Sequence, residues 1–477
     1  MEDVGKARST GPSVQDLLEA DTRPVPASLK DHSYELQGIA DVPKLRYTSH
    51  EFAALENEFM WTKTWQMACT IDEVAQPGDH VVYDVADQSL IVTRTKDGSI
   101  KAYYNSCLHR GTKLRVDDGR VASFRCPFHG WRWDLDGELV ELPAEWDFPQ
   151  VWQQADSCLP QAKVAEWCGF VFVNLDPDAI PFEQVANKLI EHFGRDFNMS
   201  NRYKAFHAVK EVPANWKVVM EAFAEGYHVI ATHPQILEFA GDANSEYSIW
   251  PESPFVTRFV NGFGLQSPHL GDLSEQQVAD AYLAFSARAA RGAVEVPEGS
   301  TARAVVADVF RSVMGPLYGK DLSQVSDSEM LDAHLYHLFP AFAPWAGTGQ
   351  SLVYRWRPGP TPDTCFMDVI RMMPVPEGKE RPAVAPIQKL HLDQKWTEAQ
   401  GMSGLADVFE QDMANLPKVQ LGLKMTAKRA KKGVSFGVYQ EARMRLIHRH
   451  IDDCILEGLA ADGRSADELA PFIMPQG

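Results

Sequence analysis

Two short segments constrain this chain more than any other part of it: Cys107-Leu-His109 and Cys126-Pro-Phe-His129, with sixteen residues between them. Two thiols and two imidazoles on two tight loops can enclose a metal centre from opposite sides. Zinc can be held tetrahedrally by all four side chains. A [2Fe–2S] cluster of Rieske type takes both cysteines on one iron and both histidines on the other. Zinc fingers pair Cys with Cys and His with His along the chain. Here each loop carries one of each, the order needed when each loop must reach both irons. Cys107 and Cys126 would then hold one ferric iron. His109 and His129, both neutral, would hold the other and face outward as an electron exit. Gly111 and Gly130 let the backbone approach closely enough for N–H groups to point at sulfur. The plain alternatives are a structural zinc knot or four unrelated core residues.

The residues around these loops read as strands. His80-Val81-Val82-Tyr83-Asp84-Val85 and Ser89-Leu90-Ile91-Val92-Thr93 alternate or run apolar over strand lengths. Asp97-Gly98 is a hairpin signal, and Gly169-Phe170-Val171-Phe172-Val173-Asn174-Leu175 is a buried run. Residues 55–178 therefore read as a small all-β domain. Residues 1–54, with Pro24, Pro26 and Pro43 and few apolar clusters, read as an arm packed on a domain built later in the chain. Residues 179–477 mix both patterns and read as α+β. Trp216 to Ile230 has helical spacing, limited by His233-Pro234, because a residue before proline avoids the α region. Ser351 to Trp356 and Cys365 to Met373 read as two strands joined by a Pro358–Asp363 turn, and Phe436 to Leu459 as a docking helix.

Composition excludes several classes. Apolar residues make up 45% of the 477 and charged residues 23%, enough to bury a large core. With 46 basic against 65 acidic residues the chain carries −19, a poor match for a nucleic-acid backbone. No run of 18 apolar residues suggests a membrane span, and Met1 to Leu29 lacks the basic start and apolar stretch of a signal peptide. Seven cysteines in this length form no disulfide framework. The cytoplasm is the expected compartment, with thiols reduced and free for metal.

Asn105-Ser-Cys-Leu-His-Arg-Gly111 and Cys126-Pro-Phe-His-Gly-Trp-Arg-Trp-Asp-Leu-Asp-Gly137 resemble the Rieske motif of the ring-hydroxylating oxygenase large (alpha) subunits. That motif runs C-x-H-R-G, then C-x-x-H-G-W, then a D-x-D-G turn. The likeness continues through 169–175, Asn215-Trp216-Lys217, Tyr336-His-Leu-Phe-Pro340 and the segment around Asp412.

A second constellation lies in Glu221-Ala-Phe-Ala-Glu225-Gly-Tyr-His228-Val-Ile-Ala-Thr-His233-Pro234. On an ideal helix five residues turn about 500°, so His228 and His233 would stand about 140° apart. They can share one metal only if the helix distorts or ends between them. Glu225 and His228 would lie about 60° apart and share a face. A lone histidine is more often a satisfied core residue. Beside the first motif, two histidines and a carboxylate read as the facial triad of mononuclear Fe(II) oxygenases. Spacing does not choose the carboxylate. The resemblance places it late in the chain and so implies Asp412, with Glu410 as its rival.

The resemblance implies a Rieske β domain and a helix-grip catalytic domain, an antiparallel sheet over a long helix. It also implies one [2Fe–2S] cluster and one mononuclear Fe(II) per subunit, and a homotrimer, with or without a small beta subunit. In such trimers an acid bridges the histidines of the two centres across the subunit interface. By position that acid is Glu225, where many relatives have Asp. Glu221 stands where many have Asn, and Ala341 where Asn is frequent. The implied reaction uses O2 and electrons to hydroxylate an aromatic or related hydrophobic small molecule, or to demethylate at N or O. Gly262-Phe-Gly264 is no dinucleotide fingerprint, and no plant-type ferredoxin cysteine run is present. Electrons must then come from a separate NAD(P)H-oxidising reductase, with or without a ferredoxin. A rival of another class is a non-catalytic Rieske electron carrier joined to a ligand-binding domain.

Smaller features carry less. Lys424, Lys428, Arg429, Lys431 and Lys432 suit a solvated helix face or the docking of an acidic carrier. Arg355, Arg357 and Arg371 sit on expected strands, where an ion pair is the ordinary fate and a substrate carboxylate the functional one. His334 and His337 are spaced to share a helix face, whereas His448 and His450 are not.

Overall fold

The computed structural model describes residues 6–152, 157–286, 294–349, 351–402, 404–428 and 433–475. Its contacts divide the chain into two compact units, Glu56–Phe182 and Met1–Leu55 with Glu183–Gly477.

The smaller unit is all-β in its sheets. Seven antiparallel strands run in the order Gln66–Thr70, Phe170–Asn174, Gln161–Trp167, Ile100–Tyr104, Gln88–Arg94, Asp79–Val85 and Gly119–Arg120. All five residues of Phe170–Asn174 are buried, as a central strand covered on both faces requires. Three shorter strands, Phe124–Arg125, Arg132–Trp133 and Leu139–Glu141, form a second sheet. Its core holds Trp131, Trp133, Leu135 and Leu142 together with Cys107 and Cys126. The two cysteines are thus packed from beneath by the domain's own aromatic residues.

The larger unit is built on an eight-stranded sheet. Its order is Glu246–Ile249, Val256–Asn261, Ala333–Leu338, Phe342–Ala346, Leu352–Pro358, Cys365–Pro374, Arg202–Val212 and Ile387–Leu390. Every pair is antiparallel except the last, in which Ile387–Leu390 runs parallel to Arg202–Val212. The long helix is Ala442–Ala461, twenty residues, with its buried face running from Ala442 and Arg443 to Leu459. It begins six residues later than the apolar spacing suggested, because Phe436 to Glu441 form an irregular approach. The first 55 residues belong to this unit. Arg46 pairs with Asp452 and donates to His448 on the long helix, and Asp21 caps the N–H groups of Asp327 and Ser328. Among the described residues no helix is long and apolar enough to cross a membrane.

One element differs from the sequence expectation in a way that matters for the site. The expected helix from Trp216 to Ile230 stops at Ala222. A non-helical stretch follows, then one helical turn, Val229–Thr232, entered at His228 and left at His233. The helix ends early because its next backbone groups find partners elsewhere. Arg443 Nη1 donates to Ala224 O, and Gly226 N–H donates to the Tyr247 hydroxyl. Periodicity sees side chains, and these competing partners lie on distant strands and helices.

Candidate metal centres

The two loops of the smaller unit are closed in the same way. Cys107 N–H donates to Thr112 O, and Gly111 N–H donates back to Cys107 O. Cys126 N–H donates to Trp131 O, and Gly130 N–H donates back to Cys126 O. Both glycines adopt positive φ, +76° and +81°, where a side chain would be strained. The sulfurs are buried, and the loop tips are not. His109 lies parallel to Trp131, ring centres 5.0 Å apart, and 4.6 Å from His129.

Three features show a donor set suited to a cluster. His109 Nδ1 is shut off from solvent with no hydrogen-bond partner among the described residues, which is costly unless something else binds it. Burial and the neighbouring Cys126 push the Cys107 thiol up. Burial opposes ionisation of Cys126 too, but the backbone N–H groups of Phe128 and His129 and the Cys107 thiol bring it down. Ionisation is thus easier at Cys126 than at Cys107, and further N–H groups, from His109 and Arg110, point at Cys107. A metal centre would complete the ionisation that these donors begin.

In the larger unit the structure brings together His228, His233 and Asp412, with one donor atom from each within 4.8 Å of the others. Asp412 Oδ1 is 3.1 Å from His233 Nε2 and 3.8 Å from His228 Nε2. The helix turn between the histidines swings both Nε2 atoms to the same side. Asp412 comes from Leu405–Met413, a helix that buries Ala406, Phe409 and Asp412 along one face. Glu410, on another face of that helix, instead accepts the Trp396 N–H.

The other ring nitrogens are taken. His228 Nδ1 is 2.7 Å from Glu225 Oε1, while Glu225 Oε2 accepts the His228 N–H at 3.0 Å. His233 Nδ1 is 2.7 Å from Gln411 Oε1. Acceptors on Nδ1 fix the tautomer that leaves Nε2 free to bind a metal. Gln411 was not legible as a site residue, although its place beside Asp412 was a usable signal. Burial works against a charge on His228, but Glu225 and Asp412 outweigh it and raise its pKa. Two acids and two imidazoles drawn this close make a donor set suited to a cation.

Aromatic side chains adjoin the constellation. Phe409, one turn before Asp412, meets Phe223 at 5.2 Å, Trp396 at 5.3 Å and Tyr354 at 6.0 Å. Tyr354 and Trp356 share a strand face, and Phe223 touches both. Burial holds the Tyr354 hydroxyl well above its ordinary range, and the Asp412 charge adds to this.

Arg355 and Arg357 pair with buried Asp368, the ordinary fate of strand arginines, and Arg371 donates to Gly401 O. His334 and His337 lie on a strand, three apart, and so face opposite sides. Lys424 pairs with Asp363, while Arg429, Lys431 and Lys432 lie outside the described residues. Asp31, Glu191 and His192 also gather, but Lys188 Nζ sits 3.1 Å from Asp31 and 3.3 Å from Glu191 and supplies their cation. Glu221 and His448, which no sequence spacing links, meet at 2.9 Å.

A Cys–His, Cys–His all-β unit and a second unit gathering two histidines and an aspartate define a class, the Rieske-type non-heme iron proteins. Residues 64–152 match the Rieske [2Fe-2S] domain, and residues 199–457 match the catalytic domain of the ring hydroxylating alpha subunit. The chain belongs to that family, whose cofactors are a Rieske cluster and a mononuclear iron. It is 34% identical over 194 residues to the carnitine monooxygenase oxygenase subunit of Acinetobacter pittii, covering 40% of this chain and 52% of that one. It is 30% identical over 230 residues to the chlorobenzene dioxygenase alpha subunit of a Cupriavidus species, covering 45% and 50%. The chain thus spans about half the length of these curated relatives. A crystal structure of a quaternary ammonium Rieske monooxygenase superposes with a TM-score of 0.58 at 19% identity, covering 91% of this chain and all of that one. That likeness is one of fold.

Proposed function

We propose that this protein is a terminal oxygenase component, which takes electrons from a separate reductase and uses O2 to hydroxylate a hydrophobic small molecule. The observation that carries this reading is the convergence of His228 Nε2, His233 Nε2 and Asp412 Oδ1, each ring nitrogen opposite them held by an acceptor. A bound ferrous iron would supply O2 activation there. The chain's own residues do the rest. Glu225 and Gln411 orient the imidazoles. Phe223, Tyr354, Trp356 and Phe409 exclude water and offer an apolar surface to the substrate. Cys107 and Cys126, with His109 and His129, would hold the cluster.

Glu225 has a second role in this reading, as the bridge by which electrons leave the histidines of a neighbouring subunit's cluster. Phe128 and Leu108 are 56% and 39% exposed on the cluster loops, and Tyr227 and Ile230 are 59% and 40% exposed beside His228. Such apolar tips suit a contact between copies in a homotrimer.

A second substrate class is supported by the likeness to the carnitine monooxygenase subunit and by the aromatic cluster near the site. Tyr354, Trp356 and Phe409 are buried with Phe223 in one aromatic cluster next to Asp412, and a quaternary ammonium group admitted among such rings would be attracted to their faces. The carnitine monooxygenase relative fits an N-methylated cation, whose oxidation breaks a C–N bond; the chlorobenzene dioxygenase relative fits an aromatic ring.

The test is an iron count with an EPR spectrum of the dithionite-reduced, anaerobically purified protein, followed by product analysis with a surrogate reductase. Three irons per chain and a Rieske signal are expected. Two irons with no gain on adding Fe(II) would favour an electron carrier, and one zinc without a signal would remove the reading. Turnover of γ-butyrobetaine against indole then separates the two substrate classes.

A further inference from the structure

Glu225 sits on a stretch of backbone that makes no helix, and two buried side chains from elsewhere grip that stretch on either side. Before it, Ala224 O accepts from Arg443 Nη1 at 3.0 Å. After it, Gly226 N–H donates to the Tyr247 hydroxyl at 3.0 Å. Arg443 comes from the long helix and Tyr247 from the edge strand Glu246–Ile249. Both are 1% exposed.

Each grip is itself fixed. Arg443 Nε donates to Thr257 Oγ1 at 2.9 Å, and the guanidinium makes no ion pair among the described residues. A buried cation without an acid is costly, so its donors are committed to these oxygens rather than to a charge partner. The Tyr247 ring stacks on Phe259 at 5.2 Å and meets Tyr439 edge-on at 5.4 Å. Gly226 lies close under its neighbours, since a Cβ there would stand 3.3 Å from Phe259 Cζ and from Ser245 Oγ. The peptide units on both sides of Glu225 are therefore held by tertiary contacts while its own carboxylate reaches His228.

We infer that Tyr247 and Arg443 are positioning residues for Glu225, and through it for the His228 imidazole. The carboxylate of a glutamate swings on three rotatable bonds, so an orientation good enough to fix an imidazole needs a fixed backbone beneath it. The two grips supply that. The inference rests on the reading of His228, His233 and Asp412 as a metal site.

The test is calorimetric titration of Co(II) into protein whose mononuclear site has been stripped, with the cluster left in place and checked by EPR. Tyr247→Phe keeps the ring packing and removes one grip. It should weaken Co(II) binding about tenfold, the scale on which orienting partners of metal-bound histidines act. In a Glu225→Ala background the same substitution should change nothing, since there is no longer a carboxylate to position. Arg443→Lys keeps the buried charge, loses the second donor, and should behave in the same way. An unchanged affinity in Tyr247→Phe, with Glu225→Ala weakened, would overturn the inference. So would an equal loss in both backgrounds, which marks a general structural role. Absence of Co(II) binding by the stripped wild type fails differently, by removing the metal-site reading itself.

Discussion

The loops of Cys107 and Cys126 close on their own backbone, whereas the constellation of His228, His233 and Asp412 is drawn from segments about 180 residues apart and held by side chains from several elements. In the first, each Cys N–H finds a carbonyl five residues ahead, and each glycine turns the chain back. In the second, Glu225, Gln411, Tyr247 and Arg443 all stand behind the two imidazoles. Local closure makes a site robust to distant change but intolerant of a single wrong backbone conformation. Tertiary assembly makes a site adjustable, and exposed to substitutions far along the chain.

The largest effect should separate the two outright. His228→Ala removes one of three donors and should lower the iron content from three to two per chain and abolish oxygenation, while the cluster EPR signal stays unchanged. Loss of the cluster signal in this variant would mean that the two centres do not stand independently. Within the cluster unit the effects should be smaller and graded by local geometry. Gly130→Ala and Gly111→Ala each force a side chain into the left-handed region, at about 1–2 kcal/mol. A Cβ at Gly130 would also meet Arg125 Nη1 at 3.3 Å and Pro143 Cγ at 3.4 Å, while at Gly111 it meets nothing closer than 3.9 Å. Thermal loss of the cluster absorbance should therefore come at a lower temperature in Gly130→Ala than in Gly111→Ala. The reverse order would show that backbone closure is not what sets the loop's stability.

The same contrast explains what could be read from the residues alone. The strands around 79–85, 88–94 and 170–174 announce themselves because alternation and apolar runs are local, and so do the two Cys–His loops. The break after Ala222 was hidden, because Tyr247 and Arg443 compete for that backbone from 21 and 219 residues away. Asp412 was reachable only through resemblance, since no spacing ties it to His228. Glu221, Tyr47 and His448 were hidden for the same reason. Tyr47 and His448 are 401 positions apart, and only the fold shows that they share an oxygen.

That shared oxygen yields a pH-dependent prediction and a direct contrast with Glu225, four residues further on and beyond the end of the helix. Arg46 Nε–H donates to His448 Nδ1 at 3.0 Å, so the ring proton stands on Nε2. Nε2–H and the Tyr47 hydroxyl then converge on Glu221 Oε1, each at 2.9 Å. An oxygen that accepts twice suits the carbonyl of a protonated acid as well as a carboxylate. Burial pushes Glu221 up to about 8, against the Tyr47 hydrogen bond and the Lys217 and Arg46 charges, with Glu441 adding to the rise. His448 stays neutral, held far down by burial and by Arg46, Lys217 and Arg445. Between the unfolded value of 4.5 and about 8, the folded chain keeps a proton that the unfolded chain has released. Stability must then fall as pH rises across that window, by at most about 1.4 kcal/mol per unit from this group, and level off above it. Glu221→Gln carries no such proton and still offers an acceptor oxygen to both donors. Its stability relative to wild type should therefore climb from pH 5 to pH 8, seen as a widening gap between the two melting temperatures. A gap that stays constant over that range would mean that Glu221 is ionised in the folded protein, and that the buried pair of donors holds a carboxylate after all.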